Sequence, residues 1–377
     1  MALQNLSYWE QSTFLEDIDF AIIGSGIVGL SAAISLREQF PKAKIVVLER
    51  GTFPSGASTK NAGFACFGSI SELKEDIESL GLDRVMELVE KKWRGLALLK
   101  QRCGVENIDF KQFGGYELFL QTDESLAKDC EDYATFLNDE LAKVLGEKTI
   151  FQKEREIGKF GFGNVQKMFF NRLEGQLNPA KMIQQLRYLV NQLKIPIINN
   201  IRVDEIVEEQ SKVHLIVNDE HELFANKVLI ATNGFSRRLL PELELRPARN
   251  QVIITQPIKN LPFKGTFHYD FGYYYFRNVG NRILLGGARN KAPIVETTTE
   301  FGLTATIQNT LEKFLAEIIL PHSFPKIAYR WSGIMGVGNQ KIPIVKKYSN
   351  HIVVAARLGG MGVAIGSLVG EEGARLL

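Results

Sequence analysis

Little is present in excess in this chain. Cysteine occurs three times, at Cys66, Cys103 and Cys130, with no C-x-x-C pair and no even framework. That excludes a disulfide scaffold and suits a reducing compartment, with the cytoplasm as the expected address. The five histidines, His214, His221, His268, His322 and His351, show no metal-ligand spacing, so no metal site is expected. Only His268, beside Tyr269 and ahead of a run of tyrosines, is a candidate for a place near a pocket. Neither sign of charge dominates. Lys and Arg number 45 against 43 for Asp and Glu, interspersed, which argues against nucleic acid as a partner. No apolar run is long enough to span a bilayer; the longest uncharged stretch near the C-terminus is Leu358–Gly370. The first residues, Met1-Ala-Leu-Gln-Asn-Leu, lack the basic and apolar regions of a signal peptide. There is no internal repeat. With 377 residues and 45% apolar content, the expectation is a soluble protein of two domains.

What is there begins at Asp17-Ile-Asp-Phe-Ala-Ile-Ile-Gly-Ser-Gly-Ile-Val-Gly29. A strand over Phe20–Ile23 runs into Gly24-Ser25-Gly26-Ile27-Val28-Gly29, and a helix over Ile27–Phe40 follows. Such a turn binds a dinucleotide. Gly24 permits the tight turn, Gly26 lets a pyrophosphate approach the backbone, and Gly29 lets helix and strand pack closely. The free N–H groups and positive dipole end of the helix favour phosphate without any lysine. A second strand, Ile45–Leu48, ends in Glu49, which is placed to accept from a ribose 2′-hydroxyl. Arg50 beside it would instead suit a 2′-phosphate.

Further along, Ser71–Gly104 is amphipathic, with Val85, Val89, Trp93, Leu96 and Leu99 at helical spacing. Asp109–Gln121 alternates like a strand, and Leu126–Leu145 is helical. Asn178-Pro179 reads as an N-cap with proline at the first helical position. Ile195–Val207 predicts a strand, and Val213–Val217 with Leu223–Ala231 a hairpin that ends in Ala231-Thr232-Asn233-Gly234. Gln251–Gln256, Gly272–Asn278 and Arg282–Gly287 continue as antiparallel strands, with Tyr273, Tyr274 and Tyr275 alternating in direction. Glu300–Leu320 is helical. The last segment runs as strand Ile352–Ala356, turn Gly359-Gly360-Met361-Gly362 and helix. The fold class is α/β, or α+β over the whole chain: a Rossmann-like nucleotide domain made of 1–75, 166–240 and 330–377, with a mostly antiparallel substrate domain from 76–165 and 241–329.

No second Gly-x-Gly-x-x-Gly follows Gly29, so one dinucleotide is expected. Gly56-Ala57-Ser58-Thr59-Lys60-Asn61-Ala62-Gly63, the strand end Ala231–Gly234 and the turn Gly359–Gly362 turn the choice toward FAD. With Gly114-Gly-Tyr-Glu-Leu, Glu174-Gly-Gln-Leu-Asn-Pro179, Pro247-Ala-Arg-Asn-Gln251, Tyr274-Tyr-Phe-Arg277, Leu284-Leu-Gly-Gly287 and Trp331-Ser-Gly333, the sequence resembles the amine- and amino-acid-oxidising flavoproteins related to glycine oxidase, D-amino-acid dehydrogenase, sarcosine oxidase and D-amino-acid oxidase. Within that group it is most similar to the gamma-glutamylputrescine oxidoreductase type, over nearly the whole chain.

The resemblance implies FAD stretched through the nucleotide domain and a substrate pocket roofed by the antiparallel sheet. Gly24, Gly26 and Gly29 take the pyrophosphate and Glu49 the ribose. Ala57, Ser58, Thr59, Asn61, Ala62 and Gly63 line the way to the flavin, Val203 marks the adenine, and Ala231, Thr232, Asn233 and Gly234 close that side. Gly359, Gly360, Met361, Gly362 and Val363 open a helix whose N-terminus faces the flavin. The four-residue spacing of Gly362, Gly366 and Gly370 equally fits close helix packing. The implied reaction is oxidation of the C–N bond of a small amine or amino acid, with hydride passing to flavin N5, hydrolysis of the imine, and O2 or another acceptor taking the electrons.

Three departures from the family pattern bear on chemistry. Met335 stands where amino-acid oxidases carry their carboxylate-binding arginine, which leaves Arg357 as the leading replacement, ahead of Arg277 and Arg330. Tyr274 and Tyr275 are the other pocket candidates. Leu284 aligns with the oxygen-activating lysine of sarcosine oxidases, which keeps both an oxidase and a dehydrogenase open. No Cys or His occupies a known tethering position, so the FAD is expected to be non-covalent. Alternatives from other classes are a flavin module acting on a tRNA-borne amine, a partner subunit without its own turnover, and a 2-hydroxy-acid oxidoreductase.

Overall fold

The computed structural model describes residues 5–323 and 325–377. Two eight-stranded sheets hold most of the strands. The first is built on Ile18–Ile23, whose one polar member is Asp19. A strand apolar on both faces has to be covered on both, which is the position of a central parallel strand. It lies between Ile45–Glu49 and His221–Ile230, parallel to both, with Phe20 opposite Ile45 and Lys227. Ile197–Asn199 and Ile352–Ala356 extend the sheet in parallel on either side, and Ile344–Lys347 closes one edge antiparallel. Helices Ile27–Gln39, Pro179–Gln192 and Gly362–Arg375 cover one face. On the other, Val203–Glu208 and Val213–Val217 form a hairpin with the long strand His221–Ile230 and bury Leu215, Val217 and Leu223 with Leu240, Leu243 and Leu245.

Ile27–Gln39 is buried along its whole first half because it is clamped between this sheet and the C-terminal helix. Glycine makes that clamp possible. A Cβ on Gly370 would stand 2.4 Å from the Val28 carbonyl oxygen, and one on Gly366 would meet the Ile27 side chain at 2.6 Å.

The second sheet runs in the order Ile327–Val337, Arg246–Thr255, Arg282–Gly287, Tyr274–Val279, Thr266–Tyr269, Gly115–Leu120, Val165–Asn171 and Phe151–Lys153. Its pairings are antiparallel except that of Thr266–Tyr269 with Gly115–Leu120. An aromatic layer backs it: Phe267 stacks on Tyr116 at 5.1 Å and on Phe276 at 4.6 Å, under helix Ala305–Phe314.

Several elements differ from their sequence expectation, each at a backbone position that local pattern does not reveal. Ser71–Gly104 is two helices, Ile70–Leu80 and Leu82–Cys103, because Gly81 takes φ +87°. Asp109–Gln121 keeps only Gly115–Leu120 as strand, since Asp109 and Gly114 both have positive φ. Ile195–Val207 breaks at Asn200, φ +62°, into two strands. The helix expected over Glu300–Leu320 starts at Ala305 and passes into the wider turn Leu315–Ile319. The cap at Asn178 forms: its Oδ1 accepts from the N–H groups of Ala180 and Lys181.

Sheet membership also moves the boundaries drawn from the sequence. Val165–Asn171 and Ile327–Val337 fall largely in segments assigned to the nucleotide domain, yet both belong to the antiparallel sheet. Leu82–Cys103 falls in the substrate segment, but its Leu88, Leu96 and Leu99 pack with Val363 and Ile365 of the C-terminal helix. An amphipathic stripe states that a face is buried and leaves open what covers it.

Candidate active site

One continuous cavity runs between the sheets, from the first glycine turn to the tyrosine strand. At its start, Gly24 has φ +106°, and a Cβ there would lie 2.9 Å from the Ala231 carbonyl oxygen. A Cβ on Gly29 would sit 1.9 Å from the Gly24 carbonyl oxygen, so helix and turn touch backbone to backbone. Gly24, Gly26, Ile27 and Val28 line the cavity, while Ser25 is wholly buried and turns to Glu49. Glu49 Oε2 accepts from Ser25 N–H at 3.1 Å and Ser25 Oγ–H at 2.8 Å; its Oε1 accepts from Gly51 N–H at 2.9 Å and Ser55 Oγ–H at 3.1 Å. A buried carboxylate is thereby held at the strand end beside the helix N-terminus. Arg50 lies over the Phe235 ring at 3.7 Å and donates to Ser55. Val203 lines this end together with Arg202, Phe235 and Arg238, residues without a motif of their own in the sequence.

Along the cavity, Ala57, Ser58, Asn61, Ala62 and Gly63 line one wall. Ser58 Oγ accepts from the Ile27 N–H at 3.0 Å, so this loop touches the helix N-terminus directly. Thr59 points to the Pro54 carbonyl instead. Ala231, Thr232 and Asn233 line the wall opposite; Gly234 lies behind it, where a Cβ would meet the Met335 carbonyl oxygen at 2.5 Å. Gly359, Gly360, Met361, Gly362 and Val363 bring the N-terminus of the C-terminal helix to the far end.

At that end the structure sorts the expected substrate residues. Tyr273 and Tyr275 line the cavity, but Tyr274 is turned to the other face, stacked on Phe314 at 4.8 Å, because strand neighbours alternate. Burial pushes its phenol up to about 12. Met335 lines the cavity with its Sδ 3.3 Å from Asn250 Nδ2.

The two favoured arginines are elsewhere. Arg357 donates from Nε to the Ile342 carbonyl at 2.9 Å and from a terminal nitrogen to the Glu244 carbonyl at 2.8 Å. Its backbone, with φ +61°, turns the guanidinium away from the cavity and bolts down the loop before Ile344–Lys347. Arg277 donates to the carbonyls of Ala62 and Leu177 and pins the Gly63 loop; burial lowers it to about 10. Arg330 pairs with Gln308 and Glu312.

His268, the one histidine expected near a pocket, lines the cavity at the same end, within a polar cluster whose other members the sequence did not point to. His268 Nε2 is 3.0 Å from Glu174 Oε2, and its Nδ1 is 3.8 Å from Glu72. Burial alone would lower this imidazole, but the carboxylates outweigh it and raise it to about 9, so the ring is a cation held from both sides. Cys66, Glu174 and His268 present ligand-type atoms within 4.8 Å of one another. Lys92, lowered by burial, donates to the Phe67 carbonyl at 3.0 Å, and Lys341 bridges to Asp76 at 2.7 Å. Five separate stretches of chain deliver these residues, 66–76 and those around Lys92, Glu174, His268 and Lys341.

A parallel sheet with a glycine turn feeding a helix N-terminus, an acid at the next strand end and a cavity roofed by an antiparallel sheet define a dinucleotide-binding protein. Residues 19–376 match the family model described as DAO: FAD dependent oxidoreductase, and the chain belongs to that family. It is therefore an oxidoreductase whose cofactor is FAD. The residues present suit that cofactor: Gly26 brings backbone without a side chain to the cavity wall, Ser58 Oγ is the side-chain group on the helix N-terminus, at the Ile27 N–H, and Glu49 stands beside it.

The chain is 22% identical over 377 residues to a protein from Haemophilus influenzae named "Probable oxidoreductase OrdL", covering 95% of this chain and 82% of that one. Glycine oxidase from Geobacillus kaustophilus shares the fold with a TM-score of 0.74 and 19% identity, over 93% of this chain and 92% of its own. L-α-glycerophosphate oxidase from Mycoplasma pneumoniae, solved with FAD bound, shares it with a TM-score of 0.76 and 14% identity, over 95% and 94%. Among the described residues no helix is long and apolar enough to cross a membrane.

Proposed function

We propose that this chain oxidises the C–N bond of a small amine or amino acid and releases the imine to hydrolysis. The observation that carries the reading is the single cavity joining the glycine turn at Gly24–Gly26 to a chamber walled by Tyr273, Tyr275, Phe64 and Met335 at the N-terminus of the C-terminal helix. Bound FAD supplies the two-electron acceptor. The chain's own part is binding, orientation and electrostatics. The positive end of the helix from Gly362 favours negative charge developing at that end of the cavity. Phe64, edge-on to both Tyr275 and His268, gives the chamber an apolar aromatic wall. The amine gives up two electrons and two protons to become the imine, water replaces the nitrogen, and O2 or another acceptor reoxidises the cofactor. No side-chain nucleophile is required. The three unpaired cysteines support a reducing compartment.

Purified protein with its flavin, mixed anaerobically with amines, D- and L-amino acids, N-methylglycines and 2-hydroxy acids, tests the reading through bleaching of the flavin band. Bleaching by at least one C–N substrate is expected. Bleaching by hydroxy acids alone would move the reaction to a C–O bond and overturn the reading.

A further inference from the structure

Four arginines line the cavity: Arg50, Arg202, Arg238 and Arg289. Arg50 donates to Ser55, Arg202 pairs with Asp204 and Asp219, and Arg238 reaches Thr299. Arg289 has no acceptor among the described residues; its guanidinium carbon stands 5.1 Å from the centre of the Tyr273 ring. A bare guanidinium facing a cavity wall of aromatic rings is the condition for binding an anion from within that cavity.

The backbone puts it there at a cost. Strand Arg282–Gly287 ends in two successive residues of positive φ, Gly287 at +116° and Ala288 at +59°. A Cβ on Gly287 would stand 1.9 Å from the Tyr273 carbonyl oxygen, and the Ala288 N–H donates to that oxygen at 2.7 Å. The reversal swings Arg289 back toward Tyr273 and Tyr275. Left-handed backbone at a residue other than glycine costs about 1 kcal/mol and persists where the surroundings enforce it.

Two neighbours complete the arrangement. Gly286 has no side chain where Tyr275 lies, since a Cβ there would be 2.6 Å from the ring, and so the phenol crosses over the strand toward Asn250. Burial raises the Tyr275 hydroxyl, with Arg289 and Asn250 pulling it back, so it is a neutral donor near both. Asn250 Oδ1 is buried without a partner while its Nδ2 faces Met335 Sδ. A buried acceptor without a donor awaits an N–H from a ligand.

We propose that Arg289, with the Tyr275 hydroxyl, binds the carboxylate of the substrate, and that Asn250 Oδ1 accepts from an N–H near that carboxylate. The substrate class is then a carboxylate-bearing amine, held from the turn after strand Arg282–Gly287 and not from strand Ile327–Val337, where Met335 offers no charge. The assignment of the ligand as an amine rests on the reading under Proposed function; the carboxylate subsite stands on Arg289 independently.

FAD-loaded protein is titrated with acetate while the flavin spectrum is followed, and it is reduced anaerobically with matched pairs: glycine and methylamine, N-methylglycine and dimethylamine, proline and pyrrolidine. Acetate is expected to perturb the spectrum, and at least one acid is expected to reduce the flavin at lower concentration than its carboxylate-free partner. Arg289→Met should raise the half-saturating concentration of acetate and of that acid ten- to a hundredfold, with flavin content unchanged, and cost the acid about tenfold more than its carboxylate-free partner. Arg289→Lys should fall between, because it keeps the charge and loses the fork.

If Arg289→Met does not retain FAD, Arg289→Gln is compared with Arg289→Lys; equal acetate binding in that pair overturns the proposal. It is also overturned if acetate binds wild type and Arg289→Met alike, or if every amine reduces the flavin as readily as its acid. Arg289-dependent acetate binding with no reduction by any amine would uphold the subsite and sink the C–N reading instead.

Discussion

Single atoms decide much of this molecule. At Gly29 a Cβ would stand 1.9 Å from the Gly24 carbonyl oxygen, a contact that no rotamer change relieves because backbone is the obstacle. Gly29→Ala is therefore expected to push helix Ile27–Gln39 off the turn and to reduce FAD retained on purification at least tenfold, read as the flavin-to-protein absorbance ratio. Gly158→Ala, where nothing lies within 4 Å, should purify with its flavin intact. The role of Gly29 was legible from its spacing alone. That of Arg357 was not: position relative to a glycine turn suggests a side chain near the cavity, but φ +61° sends it to two backbone carbonyls. Residue type reports what a group can do, and backbone torsion reports where it is aimed.

At the scale of elements, the C-terminal helix carries two tasks on one set of small residues. Its first turn ends the cavity, and Gly366 and Gly370 let it press on helix Ile27–Gln39. Gly370→Val would place atoms 2.4 Å from the Val28 carbonyl oxygen and 2.8 Å from Ser31 Cβ. The expected result is a loss of about 1–3 kcal/mol, seen as a lower melting temperature with and without added FAD. A Gly370→Val protein that melts with wild type would show that the helices do not meet as described. Elements with strong punctuation were readable in the sequence, among them the first strand and helix, the Asn178 cap and the closing strand and helix. Thr266–Tyr269 and Val165–Asn171 escaped, because short strands with mixed polarity show no alternation long enough to separate them from loop.

Across the whole molecule, His268 and its two carboxylates join three segments that are far apart in the chain. Glu72 belongs to helix Ile70–Leu80, Glu174 leads into Gly175–Gln176, and His268 sits in the antiparallel sheet. The folded imidazole titrates at about 9 against an ordinary 6.5. A raised histidine stabilises the fold fully below its unfolded value and loses that stabilisation as pH rises through the folded value. Unfolding free energy should thus fall between pH 7 and 10 by an amount on the order of 3 kcal/mol. His268→Gln should be less stable at pH 7 and flatter over that range, checked by denaturant melts at each pH. A wild-type curve without that slope would place the proton elsewhere.

The sequence by itself determined the class of fold and the strand, glycine turn and helix that open the cavity, because a strand, three glycines and an acid form a local pattern within one stretch of chain. Only the tertiary structure decided the other end of the cavity. It separated Tyr274 from Tyr273 and Tyr275, used up the guanidiniums of Arg277 and Arg357, and left Arg289 bare. The physical reason is that a hydrogen bond is a matter of which acceptors lie within about 3 Å. The carbonyls of Leu177, Glu244 and Ile342 come from segments 100, 113 and 15 positions away from the arginines they occupy.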